Sequence, residues 1–207
     1  IGECSASVGR ELGRLLPTEG LRHALVISDG LRVNGSALVR GLEEVLPDAV
    51  AITGGLAADD DRFARTVVGL DGPPEPGRVV LVGLYGDALR VGTGSLGGGE
   101  SFGPDRVVTR AAGNVLHELD AQPALELYRR YLGPLAAELP ASALRFPLSV
   151  GADAADRVVR TVLGVDAATA TMTFAGDVPE GAHVLISGTV ATTQEGAENN
   201  PFLGHEQ

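Results

Sequence analysis

His23-Ala24-Leu25-Val26-Ile27-Ser28-Asp29-Gly30 is the stretch on which the fold turns. His23 to Ile27 read as a buried strand, and Ser28-Asp29-Gly30 as the turn that ends it. After Asn34, the residues Leu38, Val39, Leu42, Val45 and Leu46 recur at helical spacing until Pro47 stops them. Val50-Ala51-Ile52-Thr53 follows as a second short strand, halted by Gly54-Gly55. Strand, helix and strand over about thirty residues make a β-α-β unit.

Upstream, Val8, Leu12, Leu15 and Leu16 predict a short helix with Ser7 as its N-cap and Pro17 as its end. Downstream of residue 65 the texture changes. Thr66–Leu70, Arg78–Leu84, Ala88–Thr93 and Arg106–Arg110 are short β-prone runs parted by glycine and proline, the pattern of antiparallel sheet. A helix then follows, capped by Asp120, with Pro123 in its first turn and Gly133-Pro134 after its apolar face of Ala124, Leu125, Leu127, Tyr128, Tyr131 and Leu132. Leu144–Val150, Arg157–Val165, Thr169–Ala175 and His183–Ile186 read as further strands, and from Gly188 the pattern fades into a polar tail. The expected fold is α+β: helices packed on twisted, largely antiparallel mixed sheet, with one β-α-β unit near residues 23–53.

Composition narrows the chemistry. The chain has 207 residues, 44% hydrophobic, and a net charge of −11 that repels phosphate backbones and anionic membrane surfaces. No apolar run approaches the ~20 residues that cross a bilayer, so neither nucleic acid nor membrane insertion is expected. All 16 basic residues are arginine; without lysine there is no Schiff-base residue and no Walker loop. One cysteine, Cys4, excludes an internal disulfide and a thiolate-rich metal centre. The absence of a starting Met marks the chain as a processed or truncated piece of something longer, and the absence of a basic-then-apolar leader points to the cytoplasm.

The motifs favour binding over catalysis. Gly92-Thr93-Gly94-Ser95-Leu96-Gly97 satisfies G-x-G-x-x-G, but Gly98-Gly99-Glu100-Ser101-Phe102-Gly103-Pro104 follows it where a dinucleotide site needs a helix; a glycine loop between strands is the better reading. Asp59-Asp60-Asp61 lacks the glycine and distal glutamate of a calcium loop, and reads as an acidic cap on Arg62–Arg65. The four histidines show no metal-ligand spacing, and there is no G-x-S-x-G elbow. The enzyme alternative, a hydrolase or transferase, would have to assemble its residues in three dimensions, with Cys4, Asp29 or His117 as actors.

Three blocks stand in order over residues 22–186. The first is Ile27-Ser28-Asp29-Gly30 with Asn34-Gly35, then Thr53-Gly54-Gly55-Leu56-Ala57-Ala58-Asp59. The second is Phe102-Gly103-Pro104, Val108-Thr109-Arg110, Gly113-Asn114-Val115-Leu116, Glu118-Leu119-Asp120 and Pro123-Ala124-Leu125-Glu126-Leu127-Tyr128. The third is Phe146-Pro147-Leu148, Val159-Arg160-Thr161, Val165-Asp166, Phe174-Ala175-Gly176 and Val178-Pro179-Glu180-Gly181. Together they resemble the FIST domain, a sensory module of bacterial, archaeal and eukaryotic signal-transduction proteins. The resemblance divides the chain into a FIST N-terminal-like domain, residues 1–120, and the beginning of a FIST C-terminal-like domain with a polar tail, residues 121–207. It implies a non-enzymatic binding module that senses a small molecule, amino acids being the suggested class, and passes its state to a signalling output protein or attached domain. Some members are reported to bind haem; no axial ligand is assignable here, so no cofactor is expected, with a haem-based gas sensor as the alternative.

The residues themselves agree in kind. Bare backbone amides at glycine turns bind carboxylates, and an arginine adds a bidentate clamp; Arg110 and Arg160 are the arginines considered for it. If the two N-terminal strands are parallel neighbours, Ser28, Asp29 and Gly30 share a rim with Gly54 and Gly55, the carboxyl-end position where α/β units collect ligands. Asp29 would meet a ligand's ammonium, the Gly54-Gly55 amides its carboxylate, and Thr109 and Arg110 would complete the rim.

Overall fold

The computed structural model describes residues 2–94, 100–153 and 156–188. It is an α+β fold with two sheets. In the first, β1 (Leu21–Asp29) lies between β2 (Ala51–Ala57) and β3 (Val79–Tyr85). β1 and β2 run parallel in one unbroken register from His23 opposite Ala51 to Asp29 opposite Ala57, while β3 is antiparallel to β1. The predicted crossover is α2 (Gly35–Glu43), capped by the Asn34 side chain, which accepts from the Ala37 N–H.

α2 lays Leu38 and Leu42 on Ala24 and Val26 of β1, burying all four. Beside it runs α1 (Gly2–Leu15). The two helices approach closely because glycine stands at the contact: a Cβ on Gly41 would lie 2.1 Å from the Ala6 carbonyl oxygen, and one on Gly9 2.3 Å from that of Leu38. Both helices sit on one face. On the other, Leu25 and Ile27 of β1 and Val82 and Leu84 of β3 remain exposed.

The second sheet is antiparallel throughout its described pairings. It draws on β4 (Glu100–Ala112), β5 (Val115–Leu119), β6 (Gln122–Pro123), β7 (Leu148–Gly151), β8 (Val158–Arg160), β9 (Val162–Asp166), β10 (Thr171–Phe174) and β11 (His183–Gly188). Its order is β8-β7-β11-β4-β5-β10-β9, with β6 on β5. The strands at the two ends of that path, β8 and β9, are joined by Thr161 alone, so the sheet curls until it nearly closes on itself. α3 (Ala124–Leu132) packs against this curled sheet, where Leu125, Tyr128 and Leu132 share a core with Leu116, Leu148, Met172 and Phe174. Tyr128 is the polar exception: its hydroxyl donates to the Phe146 carbonyl at 2.6 Å.

Several local expectations change in three dimensions. α1 already begins at Gly2, so Ser7 is an interior residue whose hydroxyl donates to Glu11 at 3.3 Å. Gly54 and Gly55 do not stop β2 but lie inside it. Residues 66–70 and 88–93 form no strand; the first contributes one bridge, Val68 to Glu75. Asp120 does not cap α3, whose N-cap position is Pro123 with no side-chain cap. It turns the chain at φ 49° and binds backward, accepting from Val107 N–H and Arg106 at 2.9 Å each. Leu144–Arg145 ends a 3-10 turn before β7 begins. The run 157–165 divides at Thr161 into two strands that pair with opposite ends of the sheet. Residues 95–97 of the glycine motif and the polar tail from 189 lie outside the described residues.

Candidate functional site

The carboxyl ends of β1 and β2 lie side by side, as a parallel pair requires, and the turn after β1 is built around Asp29. Its Oδ1 accepts from the N–H groups of Leu31 at 2.8 Å and Arg32 at 3.1 Å and from the Thr66 hydroxyl at 2.5 Å. Its Oδ2 accepts from the Gly77 N–H at 2.6 Å. Burial alone would raise this carboxyl's pKa, but the bonds from Thr66, Gly77, Leu31 and Arg32 together outweigh it and hold the group below the ordinary carboxylate value. Thr66 also accepts from the Gly30 N–H. Asp29 and Gly30 thus bind inward, tying the loop before β3 to the end of β1.

Ser28 differs. It is 1% exposed, and its hydroxyl has no hydrogen-bond partner among the described residues. It lines a cleft of about 240 Å3 between β1, β2 and the first turn of α2, together with Gly35, Leu38, Gly54, Gly55 and Leu56. Gly54 is glycine for a steric reason, since a Cβ there would stand 1.8 Å from the Val26 carbonyl oxygen. Gly55 has open space around the corresponding position. The opposite face of the same strands carries His23, whose Nε2 lies 2.9 Å from the Thr53 hydroxyl.

Of the remaining rim residues, Thr109 and Arg110 stand on β4 of the other sheet. Thr109 accepts from the Ala121 N–H at 2.9 Å, and Arg110 pairs with Glu118 at 3.1 Å. Neither lines the Ser28 cleft. Asp59 closes a loop, accepting from the N–H groups of Ala64 and Arg65 at 2.8 Å. Cys4 is exposed on α1 and His117 lies on β5, and among the described residues no hydrogen bond joins either to Asp29.

A larger cleft, about 430 Å3, opens where the connection between β10 and β11 meets β8; Gly151, Asp156, Arg160, Asp177, Glu180 and Gly181 line it. Arg160 donates to the Asp177 carbonyl at 2.9 Å and to the Ser36 hydroxyl at 3.4 Å. Burial pulls its pKa down, against the attraction of the nearby Asp177 carboxylate, which works the other way. The Asp177 carboxylate points instead to α2, accepting from Asn34 and Arg40 at 2.6 Å each. This junction between the sheets has signals in the sequence, Asn34-Gly35 and Val178-Pro179-Glu180-Gly181, but no pattern that joins one to the other.

A FIST N domain model matches residues 2–122, and a FIST C domain model matches residues 124–201. Comparison with curated proteins and with solved structures gives no match. FIST domains are taken as sensory domains that bind small ligands in signal transduction. With the β-α-β unit and its cleft within the first matched segment, and the curled sheet shared between both, this chain belongs to the FIST family.

Proposed function

We propose that the chain is a ligand-sensing module rather than an enzyme, that its ligand is an amino acid or another small carboxylate, and that the Ser28 cleft holds it. The observation that carries this reading is the buried, unpartnered Ser28 hydroxyl. A polar group buried without a partner costs about 1–3 kcal/mol, and a ligand that bonds it recovers that loss. A hydroxyl both donates and accepts, so Ser28 suits a carboxylate or an ammonium equally. Gly54 and Gly55 leave the β2 backbone bare beside it, and the first turn of α2 supplies positive potential in a chain that otherwise repels anions. Asp29 and Gly30 serve as the framework that fixes the rim. Reading the bound state would fall to an output protein or attached domain.

Arg160 supports a second reading, with the carboxylate in the larger cleft, because its half-buried guanidinium donates to two neutral oxygens, the Asp177 carbonyl and the Ser36 hydroxyl. Calorimetric titration of amino acids and small carboxylates into the protein and two variants separates the two. Ser28→Ala should fold at least as stably as the parent, having lost an unsatisfied hydroxyl, and should bind about tenfold more weakly, the scale of one hydrogen bond. Arg160→Gln should bind as the parent does. The reverse pattern moves the ligand to the larger cleft. No binding by any compound of the set, with a Soret band in protein prepared with haem, would overturn the ligand class.

A further inference from the structure

β2 is an edge strand. Among the described residues it pairs only with β1, so its outer row of backbone N–H and C=O groups is unpaired. Proteins blunt such edges with charge, proline or a bulge. Ala51-Ile52-Thr53-Gly54-Gly55-Leu56-Ala57 contains neither charge nor proline, and its register with β1 has no irregularity. The other edge of this sheet, β3, is set apart by an irregularity that β2 lacks: its register with β1 shifts between Leu21 and His23.

The β2 sequence is also nearly its own mirror. Turned end for end about Gly54, it sets Ala51 against Ala57, Ile52 against Leu56 and Thr53 against Gly55. Ile52, Gly54 and Leu56 share the face that looks toward α2, and all three line the Ser28 cleft. In a chain of net charge −11, this uncharged strand is a place where two copies meet without opposing carboxylates along the pairing row.

We infer that two copies of this chain pair antiparallel along β2 about a two-fold axis at Gly54, joining their three-stranded sheets into one. Ile52 then packs beside Leu56 of the partner subunit on both sides of the axis, an isologous contact that satisfies both edges at once. The same contact walls the open β2 side of the Ser28 cleft, so each subunit completes the other's site. That last consequence rests on the function proposed for the cleft; the pairing itself does not.

Light scattering during size-exclusion chromatography tests the pairing on the ligand-free protein. A dimer at micromolar concentration is expected, and a monomer over the whole range overturns the inference. Leu56→Lys should give a folded monomer even though it lowers the net negative charge; a dimer that persists in this variant places the interface elsewhere. Register is read by cross-linking. In a Cys4→Ser background, Thr53→Cys with Gly55→Cys should oxidise to a covalent dimer, because those positions face one another across the axis, and a dimeric protein that yields no cross-link overturns the register. Should Ser28→Ala remain dimeric yet bind ligand as the parent does, the function proposed for the cleft fails while the pairing stands.

Discussion

Asp29 shows how one side chain holds a rim without touching solvent. Four donors converge on its two oxygens, three of them backbone N–H groups that Asp29→Ala would strand. Bonds to a charged acceptor contribute about 1.5–3 kcal/mol each when counted singly, and they are not additive in a shared network. Urea denaturation should therefore show Asp29→Ala less stable by about 3 kcal/mol. The pH dependence has a definite sign. Because the folded-state pKa lies below the ordinary value of 3.8, the carboxylate's contribution is complete above that value and is lost as pH falls through the lower folded-state pKa. Acid titration of stability should steepen below pH 3.8 in the parent and lose that component in the variant.

Between elements, the decisive contact is α1 on α2. Gly41 lets the Ala6 carbonyl come within van der Waals distance of the α2 backbone, so the helices pack without a side chain between them. Gly41→Ala gains helix propensity of up to about 1 kcal/mol. It also inserts a methyl against backbone that cannot yield as a side-chain tip would, and overpacking costs about 1–3 kcal/mol. The second effect should win: thermal unfolding of Gly41→Ala is expected below that of the parent, whereas a higher melting temperature would mean that α1 moves freely on α2.

Across the whole molecule, the Asp177 carboxylate ties α2 to the curled sheet through Asn34 and Arg40. The two bonds are unequal. Arg40 has a side chain 57% exposed, so its ion pair is worth about 0–1 kcal/mol. Asn34 is 1% exposed, and losing its acceptor leaves a buried amide N–H unsatisfied, about 1–3 kcal/mol. Asp177→Ala should thus destabilise by about 2 kcal/mol, and Arg40→Ala by much less. Amide exchange should quicken in the first turn of α2, whose Gly35 N–H bonds to the Ala175 carbonyl, and stay unchanged in α3. Uniform quickening would show that the two sheets unfold as one unit rather than parting at this junction.

The sequence by itself determined the elements whose signals are local. The apolar run over residues 23–27, the helical spacing of Leu38, Val39, Leu42, Val45 and Leu46 and the strand signal at 50–53 specify β1-α2-β2, and Gly133-Pro134 ends α3 where expected. The placing of Ser28 beside Gly54 and Gly55 follows from that unit, because a short parallel crossover leaves both strand ends on one side. The tertiary structure alone decided the rest, since pairing depends on partners distant in the chain. Residues 66–70 and 88–93 have strand composition but no neighbouring strand, and the run 157–165 breaks at Thr161 because a nearly closed sheet needs one end there and the other beside it. Whether Asp29 faces a ligand or its own loop depended on Thr66 and Gly77, and the junction at Asp177 depended on an asparagine 143 residues away. A side chain's local pattern reports which face is buried; what it is buried against is set by the closure of the whole chain.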